Sequence, residues 1–82
     1  MSGGLPAISG PELIKLLKKD GWQEEGRATH GIALTKRLPN GRTLVTIVPT
    51  KKRSLPKGTL NAILKQTKLG RDGLIDLLKK SK

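Results

Sequence analysis

Apolar residues recur along this chain at two periods, and the points where the period changes mark its elements. Leu13, Ile14, Leu16 and Leu17 fall at helical spacing while Lys15, Lys18 and Lys19 lie elsewhere on the cylinder, which predicts an amphipathic helix over about Gly10 to Asp20. Ser9 and Glu12 have the capping-box spacing, in which each side chain satisfies a free amide of the first turn, and Pro11 is tolerated there because its missing donor costs nothing. Gly21 ends the helix. Trp22 to Arg27 is short and charged, so it reads as an edge strand whose Glu24 and Glu25 discourage unwanted pairing, with Trp22 as a core anchor beside the helix.

From Thr29 the period becomes two. Ile32, Leu34 and Leu38 alternate with Gly31, Ala33, Thr35 and Arg37, the pattern of a half-buried strand, and the same parity puts His30 on the side of Ile32 and Leu34, at the margin of the buried face. Leu38-Pro39-Asn40-Gly41-Arg42 reads as a hairpin connection, with Pro39 setting the first turn dihedral and Asn40 and Gly41 accepting positive φ. The β-branched run Thr43 to Val48 is a third strand, ended by Pro49. A second helix carries Leu60, Ile63 and Leu64 behind Pro56. Gly70 breaks it, and Asp72 can cap a last helix with the stripe Leu74, Ile75, Leu77 and Leu78, which is free to pack on the sheet or on another protein. The predicted fold class is α+β: helix, three-stranded antiparallel sheet, helix, with an additional short C-terminal helix. Residues 1–8 are expected to be a flexible N-terminus and residues 9–82 a single domain.

Length and charge narrow the partners. Eighty-two residues make one domain, and domains of this size bury only about 60% of the surface their unfolded chains expose, which leaves room for one core and a surface site. A net charge of +11 makes a polyanion the leading partner class. That charge is uneven: seven Lys and Arg face four acids through residue 50, a balance of +3, and ten face two beyond it, a balance of +8. A single aromatic, Trp22, excludes the stacking platforms that single-strand binders use. The absence of cysteine excludes disulfides and thiolate metal sites. No acidic cluster suits Mg²⁺, so neither a metal nor another cofactor is expected. No apolar run approaches the ~18 residues of a membrane span, and the start lacks a secretion signal, so no membrane association and a cytoplasmic location are expected.

Candidate chemistry is sparse. His30 is the sole histidine, and histidine is the residue type that exchanges protons near neutral pH. A lone histidine in a strand also occurs as a plain polar residue at a sheet rim. Thr50-Lys51-Lys52-Arg53-Ser54 offers cations and nothing apolar to bury, and it leads through Leu55-Pro56-Lys57 into a helix N-terminus. Cations beside free backbone amides are the physical recipe for a phosphate site.

The order helix, three strands, helix is that of the double-stranded RNA-binding fold, and the residues resemble something narrower. Glu12-Leu13-Ile14-Lys15-Leu16-Leu17-Lys18-Lys19-Asp20-Gly21-Trp22, then His30, Pro39-Asn40-Gly41-Arg42 and Pro49, then Leu55-Pro56-Lys57-Gly58-Thr59-Leu60 leading into Ile63-Leu64-Lys65-Gln66, run in the order of the HicA-type toxins, over about Ser9 to Leu69. These are the small ribonuclease halves of bacterial or archaeal toxin-antitoxin pairs. The family commonly shows Gly-Ser-His, often with a second His next to it, where this chain has Ala28-Thr29-His30-Gly31; a further His often found shortly after the Pro is replaced by the Thr50-Lys51 region. The resemblance implies cleavage of mRNA, His30 as the matching catalytic histidine, and a HicB-type antitoxin as partner. Arg27, Lys51, Lys52, Arg53 and Lys57 are the candidates for holding RNA phosphates. A non-catalytic double-stranded RNA-binding module, which needs no His30, and a basic interaction protein are the alternatives.

Overall fold

The structure, a computed structural model, describes residues 6–80. Six elements follow in the order α1 (Gly10–Lys19), β1 (Gln23–Ala28), β2 (Gly31–Arg37), β3 (Thr43–Val48), α2 (Lys57–Gln66) and α3 (Gly70–Lys80), which is the predicted α+β class with its extra C-terminal helix.

α1 forms where its local signals put it. The Ser9 hydroxyl accepts from the Glu12 amide at 3.3 Å, and the Ser9 amide donates back to Glu12 Oε1 at 3.2 Å, so the capping box is closed. At the other end Gly21 N donates to the Lys18 carbonyl and Trp22 N to that of Leu17, the Schellman arrangement that satisfies the last carbonyls. That exit drops Trp22 into the core, where it is 3% exposed and part of the same buried cluster as Leu13, Leu17 and Leu34. Its indole N–H has no hydrogen-bond partner among the described residues, so the ring contributes through its buried area.

The three strands form one antiparallel sheet in the order β1-β2-β3, with the register shifting at Glu25, between the pairs Glu24–Leu34 and Gly26–Ala33. One face carries Leu34 and Val48, both fully buried beneath the helices. The other leaves Val45 and Ile47 to solvent. Thr46, on the buried face, donates its hydroxyl proton to Gln66 Oε1 at 2.7 Å, which pins the end of α2 to β3. α3 packs on α2 and seals the same core with Leu74 and Leu77, rather than lying on the sheet.

Four local expectations are refined. Ile8 is 2% exposed and its carbonyl accepts from Leu55 N at 2.8 Å, so the packed domain reaches one residue before Ser9; residues 1–5 of the expected flexible N-terminus lie outside the described residues. Thr29 and His30 are the two-residue turn between β1 and β2, closed by the pair Ala28–Gly31, so strand parity does not govern His30 and it is exposed rather than at the margin of the buried face. In the second hairpin Gly41 alone takes positive φ, at 89°, while the Asn40 side chain accepts from Arg42 N at 2.9 Å. The break after α2 falls at Lys68, with φ 61°, and α3 begins at Gly70, which places Asp72 inside the first turn, where its charge suits the helix dipole, instead of at the cap.

Candidate nucleic-acid interface

The site is built at the end of the sheet where β1 turns into β2 and β3 runs out. A two-residue turn leaves Thr29 and His30 projecting beyond the ladder. Beside it, Gly31 packs so closely on the end of β3 that a Cβ there would overlap the Val48 carbonyl and sit 2.9 Å from Pro49 Cα. This contact fixes where the chain leaves β3 relative to His30. The basic loop then follows, and its far side is anchored by the buried Leu55, by the Leu55–Ile8 hydrogen bond and by a bridge between Ser54 and Ser9. The loop is therefore held at both ends although nothing within it is buried.

The result is an open concavity of about 1150 Å³ lined by Arg27, His30, Lys51, Lys52, Arg53 and Thr59, among others. Five of the six residues singled out from the sequence thus share one surface. Lys57 does not line it: it is the first residue of α2, exposed, beside Pro56, which does. Thr59 was not foreseen. Its position three residues after Pro56, in the first turn of a helix that borders the concavity, was the available signal. α2 has no side-chain cap, in contrast to α1, so the amides of its first turn lack a side-chain partner, and that end of the helix borders the concavity through Pro56 and Thr59.

Among the described residues, no carboxylate lines the concavity. Glu12 is held by the capping box, Asp20 by Lys36 at 3.0 Å, Glu24 by Lys18 at 3.0 Å and Asp76 by Lys80 at 3.2 Å, while Glu25 accepts from the Thr35 hydroxyl. The four lining cations take part in none of the ion pairs among the described residues. Their fields add without compensation, which attracts a polyanion and its phosphates. No group of three or more His, Cys, Asp or Glu among the described residues is placed to hold a metal ion, and no helix among them is long and apolar enough to cross a membrane. Chemically, the concavity offers permanent positive charge and a single exposed imidazole, with uncapped backbone amides at its border.

Fold and site together define a small, strongly basic α+β domain with one histidine at the rim of a cationic concavity. Residues 10–69, from the start of α1 to just past α2, match the family model of the HicA toxin of bacterial toxin-antitoxin systems, and the chain belongs to that family. Membership implies an antitoxin partner. α3 lies outside the matched span. Comparisons with curated proteins and with solved structures returned no match.

Proposed function

We propose that this chain is the toxin of a toxin-antitoxin pair and acts as a metal-independent endoribonuclease on mRNA. The observation that carries this reading is the gathering of His30 with Arg27, Lys51, Lys52 and Arg53 around one concavity, in a chain of the HicA toxin family. His30 takes the proton of a ribose 2′-hydroxyl. The 2′-oxygen then attacks the adjacent phosphorus, the bond from phosphorus to the 5′-oxygen breaks, and the products are a 2′,3′-cyclic phosphate and a 5′-hydroxyl. Arg27 and the Lys51 to Arg53 loop stabilise the charge that grows on the phosphoryl oxygens, and Lys57 and the amides of the α2 first turn hold the flanking backbone. With one histidine in the chain, the leaving oxygen takes its proton from the newly formed imidazolium, a lysine or water.

His30→Ala is expected to reduce cleavage by about 10²- to 10⁴-fold, the usual contribution of a general base, while affinity for a 2′-deoxy-blocked RNA stays within a factor of two or so. Cleavage is expected to persist in EDTA and to leave cyclic phosphate ends. Loss of activity in EDTA, or ends lacking the cyclic phosphate, removes His30 from the base role. Duplex RNA bound without any cleavage supports the binding-module alternative, which the exposed position of the imidazole also suits.

The antitoxin in this reading is an acidic HicB-like protein that covers His30 and the Lys51 to Lys57 region, blocking substrate and chemistry together. Crosslinks from the antitoxin confined to the opposite end of the sheet speak against it. The proposed setting for the pair is the cytoplasm, where mRNA is met.

A further inference from the structure

The two edges of the sheet are treated very differently. β1, on one edge, is interrupted by the register shift at Glu25 and carries Glu24 and Glu25, the first of them paired with Lys18. These are the usual defences of an edge strand: a bulge and charge. β3, on the other edge, has none of them. Its six residues, Thr43 to Val48, include no charge, no proline and no break in register, and its only ladder partner among the described residues is β2.

β3 is also flanked by apolar surface. Val45 and Ile47 are 53% and 43% exposed on the open face of the sheet, the only large hydrophobic residues so placed among those described. A groove of about 690 Å³ runs between β3 and α2: Val45, Thr46 and Ile47 line it from the strand, and Gly58, Thr59, Ala62, Ile63 and Gln66 from the helix. Gly58 and Ala62 fall on one stripe at i, i+4 spacing, and their small side chains leave room beside the strand, up to Gln66 at the next position, which reaches Thr46 on β3. The next stripe of the same helix is Lys57, Asn61 and Lys65, all exposed, and no acidic residue lines the groove.

We propose that β3 and this groove receive an extended, acidic segment of a partner protein, added to the sheet as a fourth strand. Main-chain hydrogen bonds to the free edge supply affinity, and alternate side chains of the added strand meet Val45 and Ile47 on one face and the Gly58 to Ala62 wall on the other. Charge selects the occupant. A second copy of this chain offers the same uncharged strand, but brings its own +11 against +11, whereas acidic residues flanking an apolar stretch meet Lys57 and Lys65. The surface adjoins the His30 concavity, sharing Pro56 and Thr59 with it, but it includes neither His30 nor the Lys51 to Arg53 loop, so this inference stands whether or not His30 is catalytic.

The test is a titration of isotope-labelled full-length chain with the acetylated synthetic peptide Glu-Glu-Val-Thr-Val-Thr-Val-Glu-Glu, followed by amide chemical shifts. Saturable shifts are expected at Val45, Ile47 and Ala62, with residues 27–30 and 51–53 little changed. Backbone N-methylation of the peptide or Glu-to-Lys replacement is expected to weaken binding at least tenfold. Ala62→Arg, which fills the groove, and Ile47→Lys, which removes the apolar contact, each change an exposed side chain and are expected to do the same; if one variant fails to fold, the other carries the test. The proposal is overturned if no saturation is reached by about 1 mM, the weak end of specific recognition. It is equally overturned if the shifts centre on Arg27, His30 and the basic loop, which marks the peptide as a polyanion mimic, if RNA gives the β3 shifts in its place, or if the chain alone dimerises through β3.

Discussion

The two ends of the sheet are each built from a hairpin turn, a loop and charged residues, yet only one of them is left electrostatically open. At the end where α1 stops, Asp20 meets Lys36 and Glu24 meets Lys18, each at 3.0 Å. At the other end Arg27, Lys51, Lys52 and Arg53 face a concavity without a carboxylate. The turns differ in the same sense. The β2–β3 turn is closed by local chemistry: Leu38 N donates to the Arg42 carbonyl at 2.7 Å, Gly41 N to that of Leu38 at 3.0 Å, and Gly41 supplies the positive φ. Thr29 and His30 have neither residue preference nor positive φ to close their turn, and their neighbour Gly31 is instead pressed against the end of β3. One end is a self-contained turn beside two ion pairs. The other is assembled from distant segments, and it is the one that gathers the candidate chemistry.

The comparison breaks most visibly if the cations of the open end are removed. Changing Lys51, Lys52 and Arg53 together to Ala is expected to lower RNA affinity about a hundredfold near physiological salt and to reduce the slope of log affinity against log salt by about 2 to 3 units, read from filter binding over a salt series. An unchanged slope would mean these residues do not contact phosphates. A pair of glycine substitutions sharpens the contrast between the turns. Gly31→Ala forces a Cβ into the Val48 carbonyl and is expected to cost about 1 to 3 kcal/mol in urea unfolding and to weaken RNA binding as the basic loop shifts away from His30. Gly41→Ala, strained only by its own φ and with open space around it, is expected to cost about 1 to 2 kcal/mol and to leave RNA binding as it was. The smallest effect belongs to the ion-paired end. Lys36→Met breaks a pair whose side chains are 30% and 26% exposed, so a loss of about 0.2 to 1 kcal/mol is expected with no change in the salt slope.

The elements themselves were legible because their signals are local. Ser9 and Glu12 specify the start of α1 within four residues, Leu13, Leu16 and Leu17 declare its buried face, and the alternation from Ile32 to Leu34 identifies a strand with one side in the core. The residues of the site were legible as types: a lone histidine and a run of cations with nothing apolar between them. Their arrangement was less so. Parity placed His30 at the margin of the buried face because it assumed that the ladder extended to Thr29, but Ala28 pairs with Gly31 and the turn is only two residues long. The register shift at Glu25 involves two strands at once, and one strand's pattern does not contain it. Lys57 was grouped with the loop by nearness in sequence, yet the start of a helix turns it out of the concavity and brings Thr59 in. The last helix gave an apolar stripe without a destination, and packing on α2 supplied one.

By itself the sequence determined the order and kind of the elements, the excess of positive charge and its concentration after residue 50, and the single imidazole available for proton transfer, because each depends on neighbours within a few residues or on a count. Only the tertiary structure decided that His30 stands at the tip of a turn, that Gly31 and the Ile8–Leu55 and Ser9–Ser54 contacts hold the basic loop next to it, that no acid among the described residues lines that concavity, and that β3 keeps a free edge. Those facts join residues up to forty-seven positions apart, and which distant backbones touch is set by the packing of one shared core around Leu13, Leu34, Val48 and Leu60, not by any local preference of the segments that meet.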